Sequence, residues 1–309
     1  FFDSNLMHLP NFVLKIISWS SLHIFTPIIL SLLSNFIAIF PDAFIDEKSS
    51  KLFFLILPLL VAKIICMFFL STLSSGKGES VSFKDGNRLW KYKKVQVLGW
   101  DLYIERSINK DKDLNDVIIK EVKEGIERFI KVVPADAIKF LQTIPIWASN
   151  EPTYPMRKNE RGVIPFHRDK TWLRDHDMNP HMAPGVHIIN PRAALLDHKI
   201  FEWGPMTMLH ELAHAYHNVK LGLDNQDIRK AYASAMARGL YLRVPDRKFK
   251  NKKVKAYAAS NKEEYFAEVS EAYFGQNDWF PHNRKELKEY DPKGYLMAEK
   301  VWGVTKNTP

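Results

Sequence analysis

His210-Glu211-Leu212-Ala213-His214 is a stretch of the form H-E-x-x-H, and the residues on both sides of it are mostly apolar. On a helix, residues four apart lie on one face, so both imidazoles can bind the same metal ion. Glu211 lies beside them and can accept a proton from water bound to that ion. Two histidine ligands and a carboxylate base are the arrangement of zinc hydrolases. The alternative is a core helix with two hydrogen-bonded histidines, which is costly without a metal or other partners.

A third protein ligand is expected, since catalytic zinc ions usually have three. His217 is a poor candidate, because it lies seven residues after His210 and therefore about 10 Å further along a straight helix. The metzincin pattern also fails, because the position of its third histidine is Lys220. The third ligand is therefore expected further along the chain.

A second helix is predicted over residues 261–274, because its apolar residues recur at helical spacing. Glu264 and Glu268 lie four residues apart in this segment and share a face of the helix. One of the two carboxylates can bind the metal while the other supports it. The residue pattern leaves open which carboxylate has which role.

The segment Tyr257-Ala-Ala-Ser-Asn-Lys-Glu-Glu264-Tyr-Phe-Ala-Glu268, taken with the H-E-x-x-H stretch, resembles the catalytic domain of the anthrax lethal factor-like zinc peptidases. That family has a glutamate ligand on a later helix, in a motif close to N-x-x-E-[FY]-F-A-E, and a tyrosine seven residues before it. The resemblance implies one zinc ion with three ligands, His210, His214 and Glu264. It also implies Glu211 as the general base and Tyr257 as the hydroxyl that stabilises the oxyanion.

The fold implied by the resemblance is α+β: a zincin-like metallopeptidase domain with a small sheet and an active-site helix, preceded by hydrophobic amino-terminal helices. The implied activity is zinc-dependent hydrolysis of peptide bonds in a peptide or protein substrate, by a zinc-bound water that Glu211 activates. Glu268 is the candidate acceptor for the second N–H of a ligand imidazole. In peptidases of this type, an edge strand before the metal helix pairs with the substrate backbone. The corresponding cleft residues here are Val186, His187, Ile188 and Asn190.

Two other activities stay open. A zinc-dependent amidase acting on a non-peptide amide would use the same site chemistry. A catalytically silent zincin-fold binding module would need neither Glu211 nor Tyr257, so the presence of both residues argues against it. Histidines 167, 176 and 181 have no spacing that suits one ion, and we interpret them as hydrogen-bonded loop or surface residues.

Hydrophobicity divides the chain into three parts. Residues 1–74 are a hydrophobic region, residues 75–91 have the composition of a linker, and residues 92–309 are the predicted catalytic domain. The whole chain of 309 residues is 46% hydrophobic and 26% charged, enough for one sizeable domain and additional segments. Its single cysteine, Cys66, cannot form an internal disulfide.

The hydrophobic region contains two segments that can reach across a membrane. Residues 22–40 and 52–73 are nearly all apolar, and each is long enough for a hydrocarbon core of roughly 30 Å. We expect one or two transmembrane helices, with a signal peptide over residues 48–73 or buried core helices as the alternatives. The protein is therefore expected to be membrane-anchored or secreted. Its orientation stays open, because lysines lie on both sides of the second segment.

The formal net charge is +9, and residues 243–255 carry seven basic residues and one acidic residue. No helix-turn-helix, zinc-finger or RNA-recognition pattern accompanies this segment, so we do not expect nucleic acid as a partner. An anionic membrane surface is the better match, given the hydrophobic amino terminus.

Periodicity predicts the remaining elements of the catalytic domain. Alternation over residues 94–108 predicts one or two strands around Gly99, and residues 114–133 have the pattern of an amphipathic helix. Shorter patterns predict strands at 144–147 and 185–190 and a last helix at 295–301.

Overall fold

Six segments form a mixed sheet, and two of its inner strands, Ile146–Ser149 and Gly185–Ile189, are buried along their whole length. The computed structural model of the chain describes residues 78–151, 162–197, 199–245 and 252–305. The strands of this sheet are β1 (Glu79–Asp85), β2 (Arg88–Val97), β3 (Trp100–Glu105), β4 (Ile146–Ser149), β5 (Phe166–His167) and β6 (Gly185–Ile189). They are hydrogen-bonded in the order β1-β2-β3-β4-β6-β5. Part of the basic segment forms a separate two-stranded ribbon of β7 (Val244–Pro245) and β8 (Lys253–Val254).

Strand direction changes across the six-stranded sheet. β1, β2 and β3 are antiparallel neighbours, β3, β4 and β6 run parallel, and β5 is antiparallel to β6. The chain turns between β2 and β3 at Leu98 and Gly99, which confirms the strands predicted around Gly99. The strands predicted at 144–147 and 185–190 are confirmed as β4 and β6, with slightly different bounds.

The prediction of a linker over residues 75–91 is wrong where the structure describes that segment. β1 and the start of β2 form a hairpin in which Asp85 pairs with Arg88 across the turn. Gly86 in this turn has a φ of 57°, in the left-handed region that glycine adopts without strain. Apolar side chains at alternate positions of the hairpin, such as Phe83 and Trp90, pack against buried residues on one face of the sheet. This alternation was not apparent from the composition of the segment, which is rich in serine, glycine and lysine.

Ten α-helices occur among the described residues. They are α1 (Arg106–Asn109), α2 (Lys112–Glu127), α3 (Ala135–Leu141), α4 (Lys170–Asp175), α5 (Ile200–Trp203), α6 (Thr207–Ala215), α7 (Gln226–Ala237), α8 (Lys262–Phe274), α9 (Arg284–Tyr290) and α10 (Pro292–Trp302). α6 continues as a π-helical segment, Tyr216–Leu221. The helices predicted at 114–133, 261–274 and 295–301 are confirmed as α2, α8 and α10.

The main core lies between one face of the sheet and the helices α2, α6 and α8. Leu102 of β3, Ile146 of β4 and Ile188 of β6 are fully buried there with apolar residues of these three helices. The opposite face of the sheet is covered by aromatic residues, and the rings of Tyr103 and Trp147 stack with centroids 4.3 Å apart. The fold is therefore α+β, with a mixed six-stranded sheet.

The segments predicted to cross a membrane, residues 22–40 and 52–73, lie outside the described residues. All described residues belong to the unit that runs from Ser74 to Pro309. Within this part of the chain, every helix is too short or too polar to cross a membrane.

Asp291 connects the carboxyl-terminal helices to the helix that follows Tyr257. Its buried carboxylate accepts hydrogen bonds from the hydroxyl groups of Tyr241 and Tyr265, at 3.1 and 2.7 Å, and from the backbone N–H of Gly294, at 3.1 Å. Asp291→Ala leaves two buried hydroxyl groups without their acceptor. We expect the free energy of unfolding to fall by about 3 kcal/mol, since each such group costs about 1–3 kcal/mol.

Chemical denaturation of the variant and the parent chain measures this loss. Asp227→Ala is the matched control, because Asp227 makes an exposed ion pair with Lys300, and exposed pairs contribute about 0–1 kcal/mol. Equal losses in the two variants would contradict the importance assigned to the buried carboxylate.

Candidate metal centre

The first part of the site is helix α6, which carries His210, Glu211 and His214. The chain enters the helix through a turn in which the Thr207 hydroxyl donates to the carbonyl oxygen of Gly204, at 2.7 Å. Five apolar residues of α6 are completely buried and anchor the helix in the core: Met208, Leu209, Leu212, Ala213 and Ala215. His210 and His214 are thereby directed towards α8, which packs against α6.

The second part of the site is helix α8, whose start is set by Asn261. The side chain of Asn261 accepts hydrogen bonds from the backbone N–H groups of Glu263 and Glu264, at 2.8 and 2.9 Å, as an N-cap residue does. Glu264 is thereby placed in the first turn of the helix. Phe266 and Val269 bury the opposite side of α8 in the core.

The carboxylate of Glu264 meets both imidazoles of the H-E-x-x-H stretch. Its Oε2 atom lies 3.1 Å from Nε2 of His210 and 3.2 Å from Nε2 of His214. All three side chains are mostly buried, and their ligand atoms lie within 4.8 Å of one another. The fold therefore brings together the three residues that the resemblance implies as zinc ligands.

This arrangement suits a single zinc ion. In a tetrahedral site with zinc–ligand distances of roughly 2.0–2.1 Å, two ligand atoms lie about 3.3 Å apart. The two distances from Glu264 Oε2 to the histidine nitrogens are close to that value. Two imidazoles and one carboxylate are also a donor set found in catalytic zinc sites. The residues present thus fit the group that the sequence implies.

The charges around His210 favour a cation at its Nε2 atom. Burial lowers the pKa of His210, but hydrogen bonds to Glu264 and Glu271 outweigh that effect and raise the pKa well above its usual value. Burial likewise raises the pKa of Glu264, yet its hydrogen bonds to His210 and His214 bring it well below the usual value. A divalent cation bound between these groups would likewise neutralise the charges of the neighbouring carboxylates.

Glu271, and not Glu268, orients the His210 ring. Nδ1 of His210 lies 2.6 Å from Oε1 of Glu271, which is a hydrogen bond, but 3.9 Å from Oε1 of Glu268, which is too far for one. Glu268 instead accepts a hydrogen bond from the side chain of Asn277, at 3.0 Å. The prediction that Glu268 accepts from the ligand imidazole is therefore wrong for this structure. With Nδ1–H donated to Glu271, a neutral His210 would present the lone pair of Nε2 to a metal ion bound beside Glu264.

Glu271→Ala is expected to weaken zinc binding by about 10- to 100-fold, the usual effect of removing a partner of a ligand imidazole. Isothermal titration calorimetry with a competing chelator measures the dissociation constant. Glu268→Ala is a closely matched control, because both carboxylates are 3% exposed on the same helix. We expect a smaller loss for that control, and an equal or larger loss would reverse the two assignments.

Glu211 lies on α6, between His210 and His214 in the sequence. A backbone group of the sheet binds its carboxylate. Its Oε2 atom accepts a hydrogen bond from the backbone N–H of Phe166 in β5, at 2.7 Å. Burial raises the pKa of Glu211, while the charges of His210 and His214 lower it in part. A carboxyl group with a raised pKa accepts a proton more readily, as a general base must.

Tyr257 lies at the open side of the site, in a short 3₁₀ turn, Tyr257–Ala259. Its ring stacks on the ring of His210 with centroids 6.1 Å apart, and the residue is 46% exposed. Burial of its hydroxyl, followed by the charge of Glu264, raises its pKa to about 12. The hydroxyl therefore keeps its proton at neutral pH and can donate a hydrogen bond.

The predicted edge strand is not at the edge of the sheet. β6 pairs with β4 on one side and with β5 on the other, and Val186, His187 and Ile188 are fully buried. These three side chains therefore cannot line a cleft, and the prediction is wrong. Asn190 lies beyond the end of β6, where its side chain accepts a hydrogen bond from the backbone N–H of Glu151 at 3.2 Å. The edge of the sheet next to α6 is β5.

Two contributors to the site were missed from the sequence. Glu271 follows Glu264 by seven residues, so the helical period could have shown that both share a face. The N–H of Phe166 had no sequence signal, because any residue supplies the same backbone group. His217 is buried in the π-helical segment against Phe266 and does not belong to the cluster of His210, His214 and Glu264.

Comparisons of the chain with models of protein families, with curated proteins and with solved structures gave no match. The class of protein is therefore inferred from the geometry of the site.

Proposed function

We propose that this protein is a zinc metallopeptidase of the zincin type, with one zinc ion held by His210, His214 and Glu264. The observation that carries the proposal is the position of Glu264. A residue 50 positions after His214 in sequence places one carboxylate oxygen within 3.2 Å of both histidine nitrogens. A neighbouring carboxylate on α6 and a protonated phenol nearby complete the set of groups that amide hydrolysis requires.

Each residue has a separate task in the proposed reaction. When bound, zinc supplies Lewis acidity, which lowers the pKa of water and polarises the scissile carbonyl. Glu211 accepts a proton from the attacking water and donates it to the leaving amine. The Oε2 atom of Glu211 is bound to Phe166, so the proton is carried on Oε1. Tyr257 donates its hydroxyl proton in a hydrogen bond to the oxyanion of the tetrahedral intermediate.

A peptide substrate is supported by the outer side of β5. The N–H of His187 in β6 donates to the carbonyl oxygen of Pro165, at 2.9 Å. Because successive peptide groups of a strand point in opposite directions, the N–H and C=O of Phe166 face away from β6 and towards α6. The N–H of Phe166 is bound to Glu211, so an extended peptide would pair with this side of β5 through the C=O of Phe166 and would then lie beside the proposed metal position.

Metal analysis of the full-length chain, purified in detergent because of its hydrophobic amino terminus, tests the proposal together with cleavage profiling. We expect one zinc per chain and zinc-dependent cleavage of peptides from a denatured proteome. Cleavage of a panel of non-peptide amides, with none of the peptides, would support the amidase alternative. Stoichiometric zinc with no hydrolysis of either panel would support the silent binding module.

Tyr257→Phe is expected to keep its zinc and to lower kcat about 10²-fold, because loss of one oxyanion donor costs about 10²–10³-fold. The variant retains the ring that stacks on His210, so the metal ligands keep their support. Steady-state kinetics with zinc analysis of the same sample measures the effect. Tyr232→Phe serves as control, since Tyr232 belongs to the neighbouring helix α7. An unchanged kcat would remove Tyr257 from the proposed reaction.

A further inference from the structure

A buried row of polar side chains crosses three strands of the sheet on the face opposite α6. The hydroxyl of Ser149 in β4 donates to Oε1 of Glu151, at 2.8 Å. The same hydroxyl lies 2.7 Å from Nε2 of His187 in β6, and Nδ1 of His187 lies 3.1 Å from Nε2 of His167 in β5. All four residues are less than 8% exposed. We call this row the polar ladder.

The hydrogen bonds of the polar ladder have a defined direction. Ser149 has one hydroxyl proton, which it donates to Glu151, so it must accept from the Nε2–H of His187. Nδ1 of His187 is then an acceptor and receives the Nε2–H of His167. Burial lowers the pKa of His167 to about 4 and that of His187 well below its usual value, so both rings are neutral at pH 7. Burial raises the pKa of Glu151 to about 7, and in its ionised form Glu151 selects the tautomer of both histidines.

The polar ladder ends on the strand that holds the general base. β5 has two residues, Phe166 and His167, and the chain just before it is also hydrogen-bonded to β6, through the carbonyl groups of Val163 and Pro165. His167 binds into the ladder on one face of the sheet. Its neighbour Phe166 donates its backbone N–H to Glu211 at 2.7 Å. A shift of β5 would therefore move the N–H that orients the Glu211 carboxylate.

We propose that the polar ladder of Glu151, Ser149, His187 and His167 is a positioning device for Glu211, with His187 as its central positioning residue. The ladder fixes β5, and β5 holds the general base through the N–H of Phe166. This inference rests on the proposed peptidase function. The hydrogen bonds that join the four side chains reach the strand of Phe166 through His167, so their effect on Glu211 passes through β5.

Two variants of His187 in the full-length chain separate positioning from general support of the fold. His187→Leu removes both hydrogen bonds of the ring. His187→Gln keeps one donor and one acceptor in the same side chain and is the conservative rescue. We expect the Leu variant to lower kcat about 10- to 100-fold, since a displacement of about 1 Å in an active site has that cost. Its KM and its zinc dissociation constant should stay near those of the parent, and the Gln variant should recover most of kcat.

Hydrogen–deuterium exchange at Phe166 gives a readout that does not depend on activity. We expect faster exchange of this amide in His187→Leu and parent-like exchange in His187→Gln. Nitrogen-15 spectra of the unmodified chain should show Nε2 protonated and Nδ1 unprotonated in both His167 and His187. The opposite tautomers would overturn the direction of the ladder, and this measurement needs no variant that folds.

The outcomes distinguish failure of this inference from failure of the proposed function. Parent-like kcat and exchange in His187→Leu, with a parent chain that hydrolyses peptides, would overturn the positioning role alone. A loss of kcat accompanied by weaker zinc binding, and not rescued by Gln, would show a structural role and also overturn it. A parent chain that takes up no zinc and cleaves no peptide would overturn the proposed function, and with it any role of the ladder in catalysis.

Discussion

Glu211→Gln is expected to bind zinc as tightly as the parent chain and to hydrolyse peptides about 10³-fold more slowly. General acid–base catalysis contributes about 10²- to 10⁴-fold, and an amide side chain cannot accept the proton of the attacking water. Glutamine has almost the same volume as glutamate. Its carbonyl oxygen can still accept the N–H of Phe166, which now binds Oε2 of Glu211. The local structure should therefore be preserved while the base is lost.

Stability should not fall in the Glu211→Gln variant. Burial raises the pKa of Glu211, which means that the folded protein disfavours its charged form. A neutral amide removes that penalty, so the melting temperature should be equal to or higher than that of the parent. Zinc content, melting temperature and kcat are measured on one preparation.

Glu263→Gln is the matched control for this variant. Glu263 lies next to Glu264 in the first turn of α8, but its carboxylate pairs with Arg168 at the surface, at 3.0 Å. The control should retain both zinc and activity. A Glu211→Gln variant with the turnover of the parent would show that another group acts as base, and loss of its zinc would show that Glu211 is a ligand.

Glu264→Ala is expected to lose both zinc and peptidase activity. The variant removes one of three ligands, so its zinc affinity should fall by more than the 10- to 100-fold typical of residues that only support a ligand. His210 and His214 would remain on α6, but two imidazoles alone do not complete a catalytic zinc site. Residual zinc should therefore be removed by dialysis against a mild chelator that leaves the parent loaded.

Thermal unfolding with and without added zinc gives a second measure of the Glu264→Ala variant. A ligand at 100 times its dissociation constant stabilises the folded state by about 2.7 kcal/mol. The parent chain should show a zinc-dependent rise in melting temperature, and the variant should show almost none at the same zinc concentration. This comparison also shows whether the variant folds, because the unfolding transition is observed in both samples.

Glu263→Ala is the control for loss of a carboxylate at the start of α8. It lies one residue before Glu264, in the same first helical turn, and its N–H is likewise bound by Asn261. The control should keep its zinc-dependent stabilisation. Parent-like zinc binding by Glu264→Ala would remove the observation on which the proposed function depends.

The two variants separate the two roles that the site combines. Glu211→Gln should give zinc without turnover, and Glu264→Ala should give neither. A protein that binds a partner through its zincin-like surface, with no catalysis, would be insensitive to the first change. The pair therefore distinguishes an enzyme from a binding module as well as a base from a ligand.

Much of the domain could be predicted from periodicity. The helices α2, α8 and α10 and the hairpin around Gly99 follow from apolar residues at helical or alternating spacing. The linker prediction failed because serine, glycine and lysine between the apolar residues of β1 suggested flexibility, whereas pairing with β2 is what makes that segment a strand. Composition reflects the conformational preference of a segment taken alone, whereas a β-strand is stable only when it pairs with another strand.

The residues of the candidate metal centre could be predicted only in part. His210, Glu211 and His214 are four residues apart or less, so the helical period places them together whatever the rest of the fold does. Glu264, Glu268 and Glu271 also share a face of one helix, and the residue pattern alone leaves their roles open. The packing of α8 against α6 decides among them, because it sets which carboxylate reaches Nε2 of His210 and which reaches Nδ1.

Sequence patterns do not predict the order of the strands in the sheet. Nothing in the residues of β6 shows that the two-residue strand β5 covers its outer side, so the prediction that β6 is the edge strand is wrong. The polar ladder and the contact of Phe166 with Glu211 depend on the same order. Short-range spacing therefore determined the helices and the histidine pair, because covalent geometry enforces it. Contacts between residues far apart in the chain were decided by packing, since only the folded sheet and helices bring those groups within hydrogen-bond distance.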